Sequence, residues 1–193
     1  MKSSQHPLSL SRDHQHGASL IMVMMILVIV SLLGVGGAQI ALMSERGARN
    51  DRDMQIAWQA AEAALIDAEF DMTNAASARK ALFDGKNLTA FIPGCGTGTA
   101  AGLCAVTVSG KPAWLTVDFT NTGSSAETTE FGAISGRDFP VGAGVQPAMK
   151  PRYIIELVVD PLDNKSLVYR VTAMGFGPRV DIQAMLQIIY RTF

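Results

Sequence analysis

Charge is missing from one long stretch of this 193-residue sequence. No Asp, Glu, Lys, Arg or His occurs between His16 and Glu45, although 17% of all residues are charged. The three histidines, His6, His14 and His16, all precede this stretch. A chain processed near residue 17 therefore contains no histidine, which excludes Ser-His-Asp and Cys-His catalysis in its mature part.

Clusters of basic residues are also missing. The formal net charge is -1, and the sequence has no run of five or more Lys and Arg, so we expect no nucleic-acid binding. The glycine-rich residues 94–98 lack the Gly-Lys-Ser/Thr ending of a phosphate loop. Asp160, Asp163 and Asn164 could hold calcium, but turns between strands are enriched in the same residue types. We therefore predict no cofactor, no metal site and no enzyme activity.

Cysteine is scarce. Cys95 and Cys104 lie nine positions apart in a glycine-rich segment. We expect a disulfide between them if the domain is exported, and two reduced thiols if it is cytosolic. In the chain-entropy model, closing a loop of about ten residues contributes roughly 2 to 3 kcal/mol.

The uncharged stretch is long and apolar. Residues 18–44 exceed the roughly 20 residues that a helix needs to cross a bilayer. Lys2 and Arg12 precede it, which predicts a cytoplasmic start and an outward-facing remainder. A secretory signal peptide cut after Ala38 would have an unusually long apolar region. An uncleaved signal anchor is a second interpretation, and a prepilin, which loses only its short polar leader, is a third.

The polar-to-apolar junction favours the prepilin. Gly17 is followed by Ala18-Ser19-Leu20-Ile21, which resembles the cleavage and methylation site of type IV prepilins. In that family a dedicated peptidase cuts after a glycine, and the new amino terminus is methylated. The resemblance implies a leader at residues 1–17 and a methylated Ala18 as the first mature residue.

Met22, the fifth residue after Gly17, departs from this pattern. Most pilins carry a glutamate there, which pairs with the amino terminus of a neighbouring subunit. A carboxylate buried among apolar helices is costly unless it meets a cation, so the glutamate acts as a recruitment contact. A subunit without it suits the filament tip. Alternatively, Met22 is one more lipid-facing residue and says nothing about position.

The helix is predicted to continue beyond the apolar run. Residues 45–72 are rich in Ala, Glu, Gln and Arg and contain no proline, so one helix should extend from residue 18 to about residue 72. We assign residues 18–44 to a transmembrane assembly segment and residues 45–80 to its amphipathic continuation. Spacings of four and three residues predict one packing stripe, with Glu62, Asp67, Glu69 and Asp71 mostly outside it. The stripe consists of Met54, Trp58, Ala61, Leu65, Ala68 and Met72.

The last part of the chain has clear strand signals. Residues 153–159, 167–174 and 180–190 are rich in β-branched and aromatic residues and are separated by turn sequences, which predicts an antiparallel meander. Alternation in the last run gives one apolar face for the helix to cover. Residues 81–150 give weak signals, with one strand expected at 114–119. The fold class is therefore α+β, with a globular domain at residues 81–193.

Three segments resemble the PilX family of minor pilins. Arg46-Gly47-Ala48-Arg49-Asn50 and residues 57–69 look like that family's stem, and residues 169–177 are similar to its carboxy-terminal hairpin. The resemblance covers about the first 75 residues well and the carboxy-terminal third more loosely. It implies a type IV pilin fold, in which a long helix packs on an antiparallel sheet.

The resemblance also implies a function. A minor pilin primes type IV pilus assembly with other minor pilins and supports twitching motility and adhesion. Its partners would be other minor pilins, the major pilin, the prepilin peptidase and the inner-membrane assembly platform, with a tip adhesin as a further candidate. It would sit in the inner membrane with a periplasmic carboxy terminus and then in the surface pilus. The alternatives are a minor pseudopilin of a type II secretion system, which usually carries a large inserted domain, and a membrane-anchored binding or sensor domain.

Overall fold

A computed structural model of the chain describes residues 18–160, 162–163 and 165–191. The chain divides into two compact units, one ending at Ala48 and the other beginning at Arg49. The proposed leader, residues 1–17, lies outside the described residues. One helix, α1, runs over Ala18–Thr73.

The carboxy-terminal end of α1 is marked by local hydrogen bonds. The Thr73 hydroxyl donates to the carbonyl of Glu69 at 2.8 Å, and the Asn74 amide donates to the carbonyl of Phe70. The Asn74 side chain then accepts from the Ala76 amide, which competes with continued helix. The end lies close to the predicted residue 72. Residues 74–80, assigned above to the amphipathic continuation, form turns and the start of a short 3-10 helix instead.

In the described residues, five strands form one sheet. They are β1 (Leu103–Cys104), β2 (Thr129–Glu130), β3 (Arg152–Val159), β4 (Leu167–Phe176) and β5 (Gln183–Tyr190). The order is β1-β3-β4-β5, with β2 also paired to β3. The β1–β3 pair is parallel and the others are antiparallel. The predicted meander is confirmed, except that its last strand begins at Gln183.

The strand expected at residues 114–119 is wrong. A 3-10 helix, Ala113–Leu115, occupies that position. The Ala113 amide donates to the Glu156 carboxylate at 2.9 Å, and the Thr116 hydroxyl donates to the carbonyl of Ala113. These contacts hold the segment in a tight turn, which the β-branched composition alone does not indicate.

The core has two layers, one on each face of the sheet. On one face, small residues of α1 and two loop phenylalanines cover the inner side chains of β3 and β4. This cluster comprises Ala64, Ala68, Met72, Phe83, Phe91, Leu103, Tyr153, Ile155, Leu157, Tyr169, Val171 and Ala173. On the other face, residues 95–149 supply the cover. That cluster comprises Cys95, Cys104, Ala113, Phe119, Ile154, Met174 and Phe176.

Gly175 sets how closely α1 approaches the sheet. A Cβ built at this position would lie 2.0 Å from the carbonyl oxygen of Ala57 and 2.3 Å from the amide nitrogen of Ala61. Both atoms belong to the helix backbone, which cannot swing aside as a side chain can. The absence of a side chain in β4 therefore brings the alanine face of α1 directly onto the sheet.

Candidate assembly segment and helix-to-sheet interface

The described part of the amino-terminal unit is the first part of α1. Its large apolar side chains, from Leu20 to Met43, are exposed along the whole segment. One helix of the described residues, Ser19–Thr73, is long and apolar enough to cross a membrane. An apolar surface of this extent is stable only where lipid tails or other apolar helices cover it. We therefore expect this segment to pack against lipid tails or against apolar helices of other chains.

Two predicted processing residues stand at the start of this segment. The described helix begins at Ala18, whereas Gly17 lies outside the described residues. The first helical turn contains no acidic residue, and Met22 is exposed with 67% of its surface accessible. A thioether at this position can make dispersion contacts but cannot neutralise a cationic amino terminus.

The packing stripe predicted for the second half of α1 is only partly correct. Ala61, Ala68 and Met72 are buried, and Leu65 packs at the edge of the core. Met54 and Trp58 are instead 43% and 50% exposed. The buried face is rotated towards smaller residues because Gly175 brings the helix too close for bulky side chains. Its members are Ala57, Ala60, Ala61, Ala64, Asp67, Ala68, Asp71 and Met72.

Two aspartates predicted to lie outside the stripe are fully buried. Asp67 accepts the Gly132 amide at 2.8 Å and the hydroxyl of Ser135, and Arg137 lies 3.7 Å from its carboxylate. The Arg137 guanidinium also lies 5.5 Å from the ring centre of Phe70. These contacts join α1 to the loop after β2, which lies far along the chain. The positive charge of Arg137 offsets part of the cost of burying the Asp67 carboxylate.

Asp71 joins α1 to the sheet. Its carboxylate accepts the hydroxyl of Ser77 at 2.9 Å and that of Tyr153 at 3.1 Å, and Arg79 lies 3.4 Å away. Burial raises the pKa of the Asp71 carboxyl, and the charge of Arg79 and the hydrogen bonds from both hydroxyls oppose this shift. The pKa of Tyr153 is raised well above its usual value, chiefly by burial.

A spacing signal for these aspartates is present in the sequence. Residues 60, 64, 67 and 71 follow spacings of four, three and four, so Asp67 and Asp71 share a helix face with Ala60 and Ala64. The prediction missed this face because it followed the bulky apolar residues. The partners of the two carboxylates are not visible from spacing.

Further ion pairs, each with one buried partner, join neighbouring strands of the sheet. Arg152 donates to the hydroxyl of Thr128 at 2.6 Å and to the Glu130 carboxylate at 3.1 Å. Four residues further along β3, Glu156 lies opposite Arg170 of β4, which makes two hydrogen bonds to it at 3.0 and 3.1 Å. The directional contacts of Arg152 position residues 128–130 relative to β3. Arg170 joins β4 to β3 and holds the Glu156 carboxylate that accepts the Ala113 amide.

Cys95 and Cys104 are joined by a disulfide, as predicted, and both are buried. Cys104 lies in β1, so the disulfide ties the loop that begins at Cys95 to the sheet. Asp160, one of the residues considered for calcium, instead pairs with Arg191 at 2.7 Å. Asn164 lies outside the described residues. Within the described part of the chain, no three His, Cys, Asp or Glu residues are placed to hold a metal ion.

A long apolar helix followed by a mostly antiparallel sheet defines the α+β fold of type IV pilins. Comparison with protein families gives the particular family. The family model described as PilX N-terminal matches residues 16–65, and the one described as type IV pilus assembly protein PilX C-term matches residues 95–192. The chain therefore belongs to the PilX family. No curated protein and no solved structure matches it.

Proposed function

We propose that this chain is a minor pilin that primes type IV pilus assembly together with other minor pilins and occupies the tip of the filament. Membership of the PilX family supports a role as a type IV pilus minor pilin. The observation that carries the finer proposal is Met22, at a position of the exposed apolar helix where a recruitment carboxylate would be expected. The protein acts by packing and carries out no reaction.

Processing comes first in the proposed sequence of events. The prepilin peptidase removes residues 1–17 by cutting after Gly17, and Ala18 becomes the methylated amino terminus. Residues 18–44 form the transmembrane assembly segment, residues 45–73 its amphipathic continuation, and the residues that follow α1 the outer domain.

Orientation in the membrane follows from two observations. Lys2 and Arg12 precede the apolar segment, which favours a cytoplasmic amino terminus. The disulfide between Cys95 and Cys104 needs an oxidising compartment, which supports a periplasmic outer domain. Before assembly the chain is a single-pass protein of the inner membrane, and afterwards it is part of the surface pilus.

The tip position follows from the missing carboxylate. A glutamate at the fifth mature position would recruit a subunit to the free amino terminus of one already in place, because an unpaired carboxylate among apolar helices is costly. Met22 neither offers nor needs that contact. The chain can therefore be the first subunit of the filament. Its amino terminus remains free to pair with the glutamate of the subunit that is added next. Other minor pilins, the major pilin, the assembly platform and a tip adhesin are its proposed partners.

The test compares a deletion strain with strains that carry wild type, Met22→Glu or Met25→Glu. Deletion should strongly reduce the number of surface pili, and wild type should restore it. Gold-labelled antibody should mark one end of each fibre in wild type and additional positions along the shaft in Met22→Glu. Met25→Glu is the matched control, since it adds the same charge one helical turn away and should not admit the protein to the shaft.

Two outcomes would contradict the proposal. Normal piliation in the deletion strain would exclude a priming role, and if protein secretion were lost at the same time, the chain would be a pseudopilin of a type II secretion system. Label spread along wild-type fibres would exclude the tip position.

A further inference from the structure

Burial is uneven across the helix-covered face of the sheet. The side chains that β3 and β4 direct towards α1, among them Ile155 and Val171, are fully buried. Their counterparts in β5, Leu186, Ile188 and Tyr190, are only half-buried. The apolar layer beneath α1 therefore becomes thinner at β5, the last strand of the sheet.

The flank of α1 above β5 is also incompletely covered. Asp67 and Asp71 turn the other flank of the helix towards β3 and the loop after β2. The opposite flank, which contains Met54 and Trp58, consequently lies on the β5 side. Trp58 is about 100° around the helix axis from the buried Ala57. Both residues are exposed. We call Met54 and Trp58 the helix rim.

The backbone of β5 is open along its outer edge. The Gly177 amide donates to the carbonyl of Ile182 at 2.7 Å, which fixes the alternation of the β4–β5 ladder. By this alternation the N–H and C=O groups of every second residue point away from β4. These residues are Gln183, Met185, Gln187 and Ile189. In the described residues, no other backbone group bonds to them.

Nothing in β5 opposes the addition of another strand. Its eight residues, Gln183–Tyr190, include no charge, no proline and no glycine. Edge strands of soluble domains usually contain residues that block pairing, such as charged residues or proline, because an open edge pairs readily with other chains. The charges that flank β5 are already neutralised, since Arg179 pairs with Asp181 and Arg191 pairs with Asp160.

We propose that the open edge of β5 and the helix rim form an acceptor site for one extended strand from a partner protein. The free N–H and C=O groups select an extended backbone, because a helix has already used its own. The neutral edge selects a segment without charge. The half-buried face of β5 and the rim select apolar side chains at every second position of that segment.

A second copy of this chain fits the site poorly. If two β5 strands paired antiparallel, their α1 helices would run in opposite directions, whereas subunits that enter from one membrane share one direction. If they paired parallel, the second sheet would be turned over, and its Gln183 and Gln187 would face the helix rim. The occupant is therefore a strand of another protein. This inference is independent of the tip proposal, because purified protein suffices to test it.

The test uses the full chain in detergent micelles and a synthetic peptide that copies residues 183–190, with two added lysines for solubility. The peptide carries no helix, so it can pair antiparallel without the constraint on a second copy. Hydrogen exchange should slow at the amides of Gln183, Met185, Gln187 and Ile189. The amides between them already bond to β4 and should change little. A peptide N-methylated at alternate residues should give no protection.

A matched pair of variants tests the backbone contact itself. Ile189→Pro removes an outward N–H and leaves the ladder to β4 intact, whereas Ile189→Thr loses the same apolar side chain but keeps the N–H. Peptide affinity should fall about fivefold more in Ile189→Pro than in Ile189→Thr, the effect of one hydrogen bond of about 1 kcal/mol. Equal affinities, or protection without alternation along β5, would overturn the proposal. So would a protein that is a dimer with these amides already protected.

Discussion

Gly175→Ala should separate α1 from the sheet. The added methyl group would lie 2.0 Å from the carbonyl oxygen of Ala57 and 2.3 Å from the amide of Ala61. Carbon–oxygen contacts between adjacent backbones are ordinarily about 3.3 Å or longer. The helix must therefore move by about 1 Å, or β4 must bend by a similar distance.

Two opposing effects decide the sign of the stability change. Overpacking of a core costs about 1 to 3 kcal/mol, and the upper end applies because the methyl group meets backbone. Alanine also restricts the unfolded chain, which stabilises the protein by about 0.4 to 1 kcal/mol where the backbone conformation suits it. Gly175 is not among the glycines with positive φ, so alanine can adopt its conformation. The net expectation is a loss of about 2 kcal/mol.

Chemical denaturation of the full chain in detergent, followed by tryptophan fluorescence, measures this loss. Gly142→Ala is the matched control, because Gly142 is exposed, has no positive φ and has no atom within 4 Å of its added Cβ. It should be neutral or slightly stabilising. A Gly175→Ala protein that is as stable as Gly142→Ala would refute the close approach of α1 to the sheet.

Three further predictions concern the outer domain. Cys95→Ser should lower the free energy of unfolding by about 2 to 3 kcal/mol, and reduction of wild type with dithiothreitol should reproduce the loss, whereas unequal effects would point to packing rather than loop closure. Asp67→Ala should lower the free energy of unfolding by about 3 kcal/mol, because it removes the acceptor for the Gly132 amide and leaves Arg137 without its counter-ion. The control, Glu69→Ala at an exposed position, should change stability by less than about 0.5 kcal/mol, and equal effects of the two would contradict the buried network. The raised pKa of Asp71 means that the folded state keeps its proton to higher pH than the unfolded state does. Wild type should therefore lose stability relative to Asp71→Asn as pH rises from 4 to 7. A pH-independent difference in free energy of unfolding between the two proteins would contradict the raised pKa.

The long helix and the meander were predictable because their signals are local. Residues 18–72 lack helix breakers, and residues 153–190 combine β-branched runs with turn sequences. The interface between them was not predictable in the same way. Met54 and Trp58 are bulky apolar residues of the stripe, yet both are exposed. Alanines occupy the buried face beside them because Gly175, more than 100 residues further on, brings the sheet too close for larger groups.

Burial of the aspartates depends on equally distant residues. Asp67 meets Gly132 and Asp71 meets Tyr153, so neither partner lies within the window that periodicity examines. The turn at Ala113 likewise depends on Glu156, 43 positions away. A local pattern can place a residue on a helix face, but the charge or space that awaits it there comes from the rest of the fold.

Mass spectrometry of the polypeptide in sheared surface fibres tests the central claim most directly. If the apolar helix is a retained assembly segment, the mature chain should begin at Ala18 and carry one methyl group on its amino nitrogen. A polypeptide that still contains His16 would show an uncleaved anchor, and one that begins at Gln39 would show a removed signal peptide. Either result would contradict the proposal that the chain is processed as a pilin.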